Sequence, residues 1–151
     1  MSTTKPAVSA EEIGKFFSDL FGLSFTTKED TSLTCDRFGV LASYVDGDGA
    51  VKGRILLDLQ GAAILGAALT QVPMGAAEDA VDAGSLPDNL RENVEEVLNI
   101  AVNVFPAQGS QRLVLKTVTT DAADKPELTD AVALSLDVQR YGTCQMFVFC
   151  D

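Results

Sequence analysis

The segment Asn89-Leu90-Arg91-Glu92-Asn93-Val94-Glu95-Glu96-Val97-Leu98-Asn99-Ile100-Ala101-Val102-Asn103-Val104-Phe105 decides how the rest of the chain is read. At about 100° per residue, Leu90, Val94, Val97, Leu98, Ala101 and Phe105 gather on one side of a helix. Glu92, Glu96, Asn99 and Asn103 gather on the opposite side, spaced four, three and four apart. One face is built for a core and the other for water, so the spacing predicts an amphipathic helix running to Val104 or Phe105. Leu86-Pro87-Asp88 opens it, with proline near the first turn, where its missing N–H costs nothing. Pro106 closes it.

Working outward, the elements on either side follow a different period. Downstream, Leu113 to Thr119, Val132 to Arg140 and Cys144 to Cys150 read as strands. Val132, Leu134, Leu136 and Val138 alternate with Ala133, Ser135, Asp137 and Gln139, the pattern of a strand with one buried face. Tyr141-Gly142 turns the chain into the last strand.

Upstream, Asp58 is placed to cap a helix over Gln60 to Gln71 whose apolar side is Ile64, Leu65, Ala68, Leu69 and Val72. Pro73 ends it, and the small, acidic stretch Met74 to Ser85 reads as a surface loop. Leu23 to Thr27, Leu33 to Val45 and Ala50 to Leu57 read as strands, the last two joined by the turn Asp46-Gly47-Asp48-Gly49. A calcium loop does not follow from those aspartates, because Ala50, Lys52 and Arg54 occupy the positions where further oxygen ligands are needed. Nearest the start, Ser9 lies three residues before Glu12 as in a capping box. Ile13, Phe16, Phe17, Leu20 and Phe21 follow at helical spacing up to Gly22.

The resulting order is one helix, three strands, two helices and three strands. Short connections between consecutive strands predict an α+β fold, a mixed or antiparallel sheet of about six strands with helices packed on one face. Residues 1–8 are expected to be a flexible N-terminus and 9–151 a single domain.

Composition narrows the function classes. The chain has 151 residues, 22 acidic against 11 basic and a net charge of −11. That balance repels phosphate backbones, and no run of Lys and Arg offsets it, so nucleic acid is not an expected partner. Cys35, Cys144 and Cys150 are odd in number, form no CxxC and have no histidine to work with. A Cys/His zinc site therefore lacks ligands, and no Ser/His or Cys/His nucleophile is available. The cysteines read as small apolar strand residues in a reducing compartment. No signal peptide is recognisable near Met1, and the longest apolar stretch, near Gly61 to Val72, is too short to span a bilayer. The expected location is the cytoplasm, without membrane insertion. No phosphate loop is present, and no metal or cofactor is expected.

The outward stripe holds the chemistry worth weighing. Glutamate on a surface helix is ordinary, but asparagine is a poor helix-interior residue because its amide competes for backbone hydrogen bonds. Two on one exposed face each cost a few tenths of a kcal/mol relative to Ala. Stability alone does not select them.

Glu96-Val97-Leu98-Asn99-Ile100, set within Glu92 to Asn103, resembles the E-x-x-N helix of the CheC/CheX/FliY family of chemotaxis phosphatases. The strand and small-residue helix from Asp48 to Val72, and the closing strands, resemble the same family. The likeness extends over most of the chain after about Leu33, and its single motif is closest to the CheX-like type. It implies a CheC/CheX-like fold and removal of phosphate from the aspartyl phosphate of a CheY-like response regulator. It also implies roles: Glu96 contacting the regulator's active-site lysine, and Asn99 holding the attacking water in line with phosphorus. Glu92 and Asn103 extend this catalytic pair along the face that meets the partner. Any metal ion would come from the receiver domain. Where the family often has Asp or Ser four residues before the glutamate, this chain has Glu92, and no proline falls near Asp121-Ala122-Ala123, where the family tends to carry one.

Two further readings stay open at this stage. One is a catalytically inactive interaction domain that binds a receiver or a motility or signalling protein. The other is a small-molecule binding domain, for which no ligand-suggesting cluster is present. The last strand is apolar on both sides and must be covered, either within the domain or by pairing in a homodimer.

Overall fold

The computed structural model describes residues 9–105 and 113–150. The expected flexible N-terminus and the helix-closing Pro106 lie outside the described residues.

The first helix, α1 (Ala10–Phe21), begins as its sequence predicts. The Ser9 hydroxyl accepts from the Glu12 N–H at 3.1 Å, and Gly22 ends the helix in the left-handed region at φ 68°. Phe17, Phe21 and Phe25 then stack with ring centroids 5.3–6.0 Å apart, fastening α1 to the strand that follows. Three strands come next: β1 (Phe25–Glu29), β2 (Phe38–Val45) and β3 (Val51–Asp58).

The strand expected over Leu33 to Val45 starts only at Phe38. Residues 30–37 instead form a loop, organised by the Asp30 carboxylate accepting from the Ser32 N–H at 2.9 Å. Leu33 and Cys35 alternate like strand residues, but their side chains lie on the back of the sheet with Leu41, Leu56, Phe147 and Phe149.

After β3 come α2 (Leu59–Leu69), α3 (Met74–Ala83) and α4 (Asp88–Ile100). Helix α3 corrects the loop expected over Met74 to Ser85. That stretch is rich in alanine, the best helix former. Ala77 and Ala80 are buried, and Gly84 closes the helix at φ 78°. Small size was read as loop character, whereas it lets α3 lie close against α2. Helix α4 ends at Ile100 and tightens into a 3-10 turn over Ala101–Val104, earlier than expected. Three strands finish the fold: β4 (Val114–Thr119), β5 (Val132–Val138) and β6 (Gly142–Cys150).

All six strands form one sheet in the order β1-β5-β6-β3-β2-β4, and every neighbouring pair is antiparallel. The α+β expectation holds. Helices cover one face, where Val40, Ala42, Tyr44, Ile55, Leu57, Leu134, Leu136, Met146 and Val148 meet Ile13, Phe17, Leu65, Leu90 and Leu98. The loops cover part of the other face. Strand β6 is apolar on both sides because it lies between β5 and β3 with both faces buried, so its cover comes from within the domain.

Asp58 is the N-cap of α2, and its Oδ1 accepts from the Gly61 N–H at 2.7 Å and the Gln145 N–H at 3.2 Å. Burial is the larger influence on its carboxyl and raises the pKa above 3.8, with the two N–H bonds opposing. A raised folded-state pKa means that the protonated form favours folding. Asp58 therefore contributes most below pH 3.8, and that contribution is lost as pH rises through its folded value. The Asp58→Asn variant keeps an acceptor oxygen and removes the ionisation. Its stability relative to the native chain should be higher at neutral pH and should converge on it as pH falls toward 3.8. Denaturant midpoints measured across that range check the sign.

Candidate functional site

The core side of α4 fixes where its outer stripe points. Leu90, Val94, Val97 and Leu98 are fully buried, and the helix rests on α2. Two polar contacts pin it. Near its middle, the Asn93 Nδ2 donates to the Gly66 carbonyl and to the Thr70 Oγ1, both at 2.9 Å. Gly66 and Thr70 lie at the C-terminal end of α2, so Asn93 ties α4 to that end of its neighbour. Toward the C-terminal end of α4, the buried Tyr44 hydroxyl donates to the Leu98 carbonyl at 2.6 Å, and the Tyr44 ring lies 4.9 Å from that of Phe105. Burial pushes the Tyr44 phenol far above its usual range, so it remains a neutral donor.

Next to the Asn93 pin α2 and α4 approach closely. A Cβ at Gly66 would stand 2.6 Å from the Leu90 carbonyl oxygen. Only glycine fits there, and this contact sets the separation of the two helices.

Glu92, Glu96, Asn99 and Asn103 are all exposed, as the helical wheel places them. They are not equivalent. Asn103 sits in the 3-10 turn and its Nδ2 donates to the Ile100 carbonyl at 3.0 Å, so it helps terminate the helix. That hydrogen bond is a sufficient local reason for an asparagine. Asn99 has no such reason: among the described residues its carboxamide has no hydrogen-bond partner, and neither does the Glu96 carboxylate. One turn apart on a fixed helix, they leave one donor-acceptor group and one acceptor facing outward. Arg91 and Glu95 flank the stripe, with Nε to Oε2 at 3.7 Å. Asn93, Tyr44 and Gly66 were not singled out in the sequence. Asn93 could have been, as an asparagine inside a helix but one position off the exposed stripe.

Loss of the Tyr44 hydroxyl tests the second pin. The Tyr44→Phe variant leaves the Leu98 carbonyl without that donor in a dry site, which should cost about 1–2 kcal/mol. For a domain of this size that is a fall in melting temperature of roughly 3–6 °C. An unchanged melt would mean that the hydroxyl carries no net bond.

Elsewhere the surface is chemically quiet. Among the described residues, no group of three or more His, Cys, Asp or Glu side chains could hold a metal ion. No helix among them is long and apolar enough to cross a membrane. Cys35 and Cys144 are buried, and desolvation raises both thiols, so neither is poised as a nucleophile.

No family model matches the chain, and no match is found among curated proteins. Solved structures do match. The FliM middle domain of Vibrio alginolyticus aligns with a TM-score of 0.60 at 10% identity, over 92% of this chain and 86% of that one. FliM from H. pylori, in a complex with SpeE, aligns with a TM-score of 0.53 at 9% identity, over 93% and 80%. A chemotactic CheC-like protein of Shewanella oneidensis gives 0.46 at 14% identity, over 95% and 93%, and the fold assignment rests on the FliM pair instead. The chain therefore has the fold of FliM middle domains, an antiparallel α+β sheet with helices on one face. FliM middle domains share the CheC/CheX fold, so the fold of this chain is the CheC/CheX fold.

Proposed function

We propose that the chain is a CheX-like phosphatase acting on the aspartyl phosphate of a CheY-like receiver domain. The observation that carries this reading is the exposed Glu96 and Asn99 pair, without a partner among the described residues and one turn apart on a helix pinned at Asn93 and Leu98. Phosphoryl transfer asks a catalyst for positioning and charge stabilisation more than for covalent help. A carboxamide offers a donor and an acceptor to an attacking water and keeps it aimed at phosphorus. A carboxylate one turn away offers an ion-pair partner to a lysine beside the receiver's phosphorylated aspartate. The receiver brings the metal ion and the phosphoryl group, so this chain needs no cofactor. Projection from a helix suits insertion into the partner's pocket, with Glu92 and Asn103 meeting its rim.

The test is the lifetime of a phosphorylated receiver domain from the same organism, with and without this protein, alongside a direct measurement of binding. A shortened lifetime supports the phosphatase. An unchanged lifetime with measurable binding would sink catalysis for that receiver and favour a second reading, a catalytically silent interaction domain. The FliM likeness gives that second reading its support, since FliM of H. pylori is seen in complex with another protein. Glu92 in place of the family's usual Asp or Ser favours it as well.

A further inference from the structure

Asn99 is the next-to-last residue of α4, and Ala101, the C-cap, makes its bond back to the Val97 carbonyl. The final carbonyls of a helix have no donor within it, and a last turn frays unless something outside holds it. Here the outside donor is the fully buried Tyr44 hydroxyl, 2.6 Å from the oxygen of the next carbonyl along, that of Leu98. That carbonyl shares one rigid peptide plane with the Asn99 nitrogen. The bond therefore fixes the stretch of backbone from which the Asn99 side chain projects.

Tyr44 is itself held on three sides. Within the sheet it lies between Gly53 of β3 and Leu115 of β4. Gly53 leaves open the space that the Phe105 ring fills, since a Cβ there would stand 2.7 Å from that ring. The Phe105 ring in turn flanks that of Tyr44, with centroids 4.9 Å apart. The hydroxyl is thus aimed by β2 and by the residue that follows the 3-10 turn.

We infer that Tyr44 is a positioning residue, whose hydroxyl acts through the Leu98 carbonyl to fix the aim of the Asn99 carboxamide without touching the water or the receiver. This role rests on the phosphatase reading of the Glu96 and Asn99 pair. A group that orients an attacking water tolerates little displacement, about 100-fold in rate for 1 Å. Attachment to the receiver asks less, because it is spread along the whole exposed stripe.

The test measures dephosphorylation of the receiver across a range of concentrations, at a temperature where every variant is folded, so that the rate at saturation and the Kd are read separately. Tyr44→Phe should lower the saturating rate by about tenfold and leave the Kd unchanged. Tyr141→Phe is the matched control. It removes the same kind of bond, from the Tyr141 hydroxyl to the Val72 carbonyl at 2.8 Å, in a contact that does not involve α4, and its saturating rate should be native. Added to Asn99→Ala, the Tyr44→Phe change should cost nothing further, since no carboxamide is left to aim. A native saturating rate in Tyr44→Phe, an equal fall in Tyr141→Phe, or a second full loss on top of Asn99→Ala would each overturn the role while leaving the phosphatase standing. A change confined to the Kd would overturn it as well, in favour of attachment. A native protein that does not shorten the lifetime of the phosphorylated receiver removes the phosphatase itself, and this role with it.

Discussion

The Gly66→Val variant is expected to melt on the order of 10 °C below the native chain. The added Cβ would meet the Leu90 carbonyl oxygen at 2.6 Å, the carbonyl carbon at 3.3 Å and the Cα at 3.4 Å, all backbone atoms that no rotamer change can move. Helix α2 is held between the sheet and its neighbouring helices, so the strain can only be relieved by pushing α4 outward. That shift would break the Asn93 bonds to Gly66 and Thr70. Overpacking typically costs 1–3 kcal/mol, and loss of the Asn93 bonds brings the total to about 3 kcal/mol or more, at roughly 2–4 °C each. Gly66→Ala is the diagnostic companion. In an unconstrained helix it would stabilise by about 1 kcal/mol, and here the close approach should reverse the sign. A thermal melt of the alanine variant at or above the native value would show that the helices are not in backbone contact.

Asn99→Ala is expected to have the opposite profile, with large loss of activity and no loss of stability. If the carboxamide orients the attacking water, its removal should slow receiver dephosphorylation by about 100-fold, the usual scale for a lost positioning or charge-stabilising group. Because the Asn99 side chain has no hydrogen-bond partner among the described residues, and alanine is the better helix former by a few tenths of a kcal/mol, the melting temperature should stay level or rise slightly. Glu96→Ala should instead act chiefly by weakening attachment to the receiver, so raising the concentration of either partner should recover much of its rate. An Asn99→Ala protein with native activity would remove Asn99 from the chemistry. A variant that loses activity and stability together would assign the residue to the fold.

These expectations depend on a site that the sequence shows only in part. The wheel from Asn89 to Phe105 placed Leu90, Val94, Val97 and Leu98 inward and Glu96 and Asn99 outward, because burial of an amphipathic helix is a local, periodic property. Both capping interactions were legible for the same reason: Ser9 with Glu12, and Asp58 with Gly61, are contacts across three residues. What the sequence hid are the contacts that join distant segments. Nothing local links Tyr44 to Leu98 or Asn93 to Thr70, and a glycine within a small-residue helix does not announce which backbone it admits. The loop assigned to Met74 to Ser85 failed through composition, since alanine and acidic residues suit either a solvated loop or a helix nested against a neighbour. The strand expected over Leu33 to Val45 failed over Leu33 to Arg37, since β-branched and apolar content reports that side chains are covered, not that the backbone joins a ladder.

The position of β6 bears on how the chain is made as well as on how it stands. Of the six strands it is the last to be synthesised, yet it occupies the interior of the sheet, paired to β5 on one side and β3 on the other. A nascent chain that stops short of Gly142 has two half-sheets with open edges and nothing to join them. The sheet cannot grow strand by strand as it leaves the ribosome. It must wait for β6 and then close in one step, a folding event dominated by long-range contacts. Until then the open edges of β3 and β5 are the surfaces at risk of pairing with another chain.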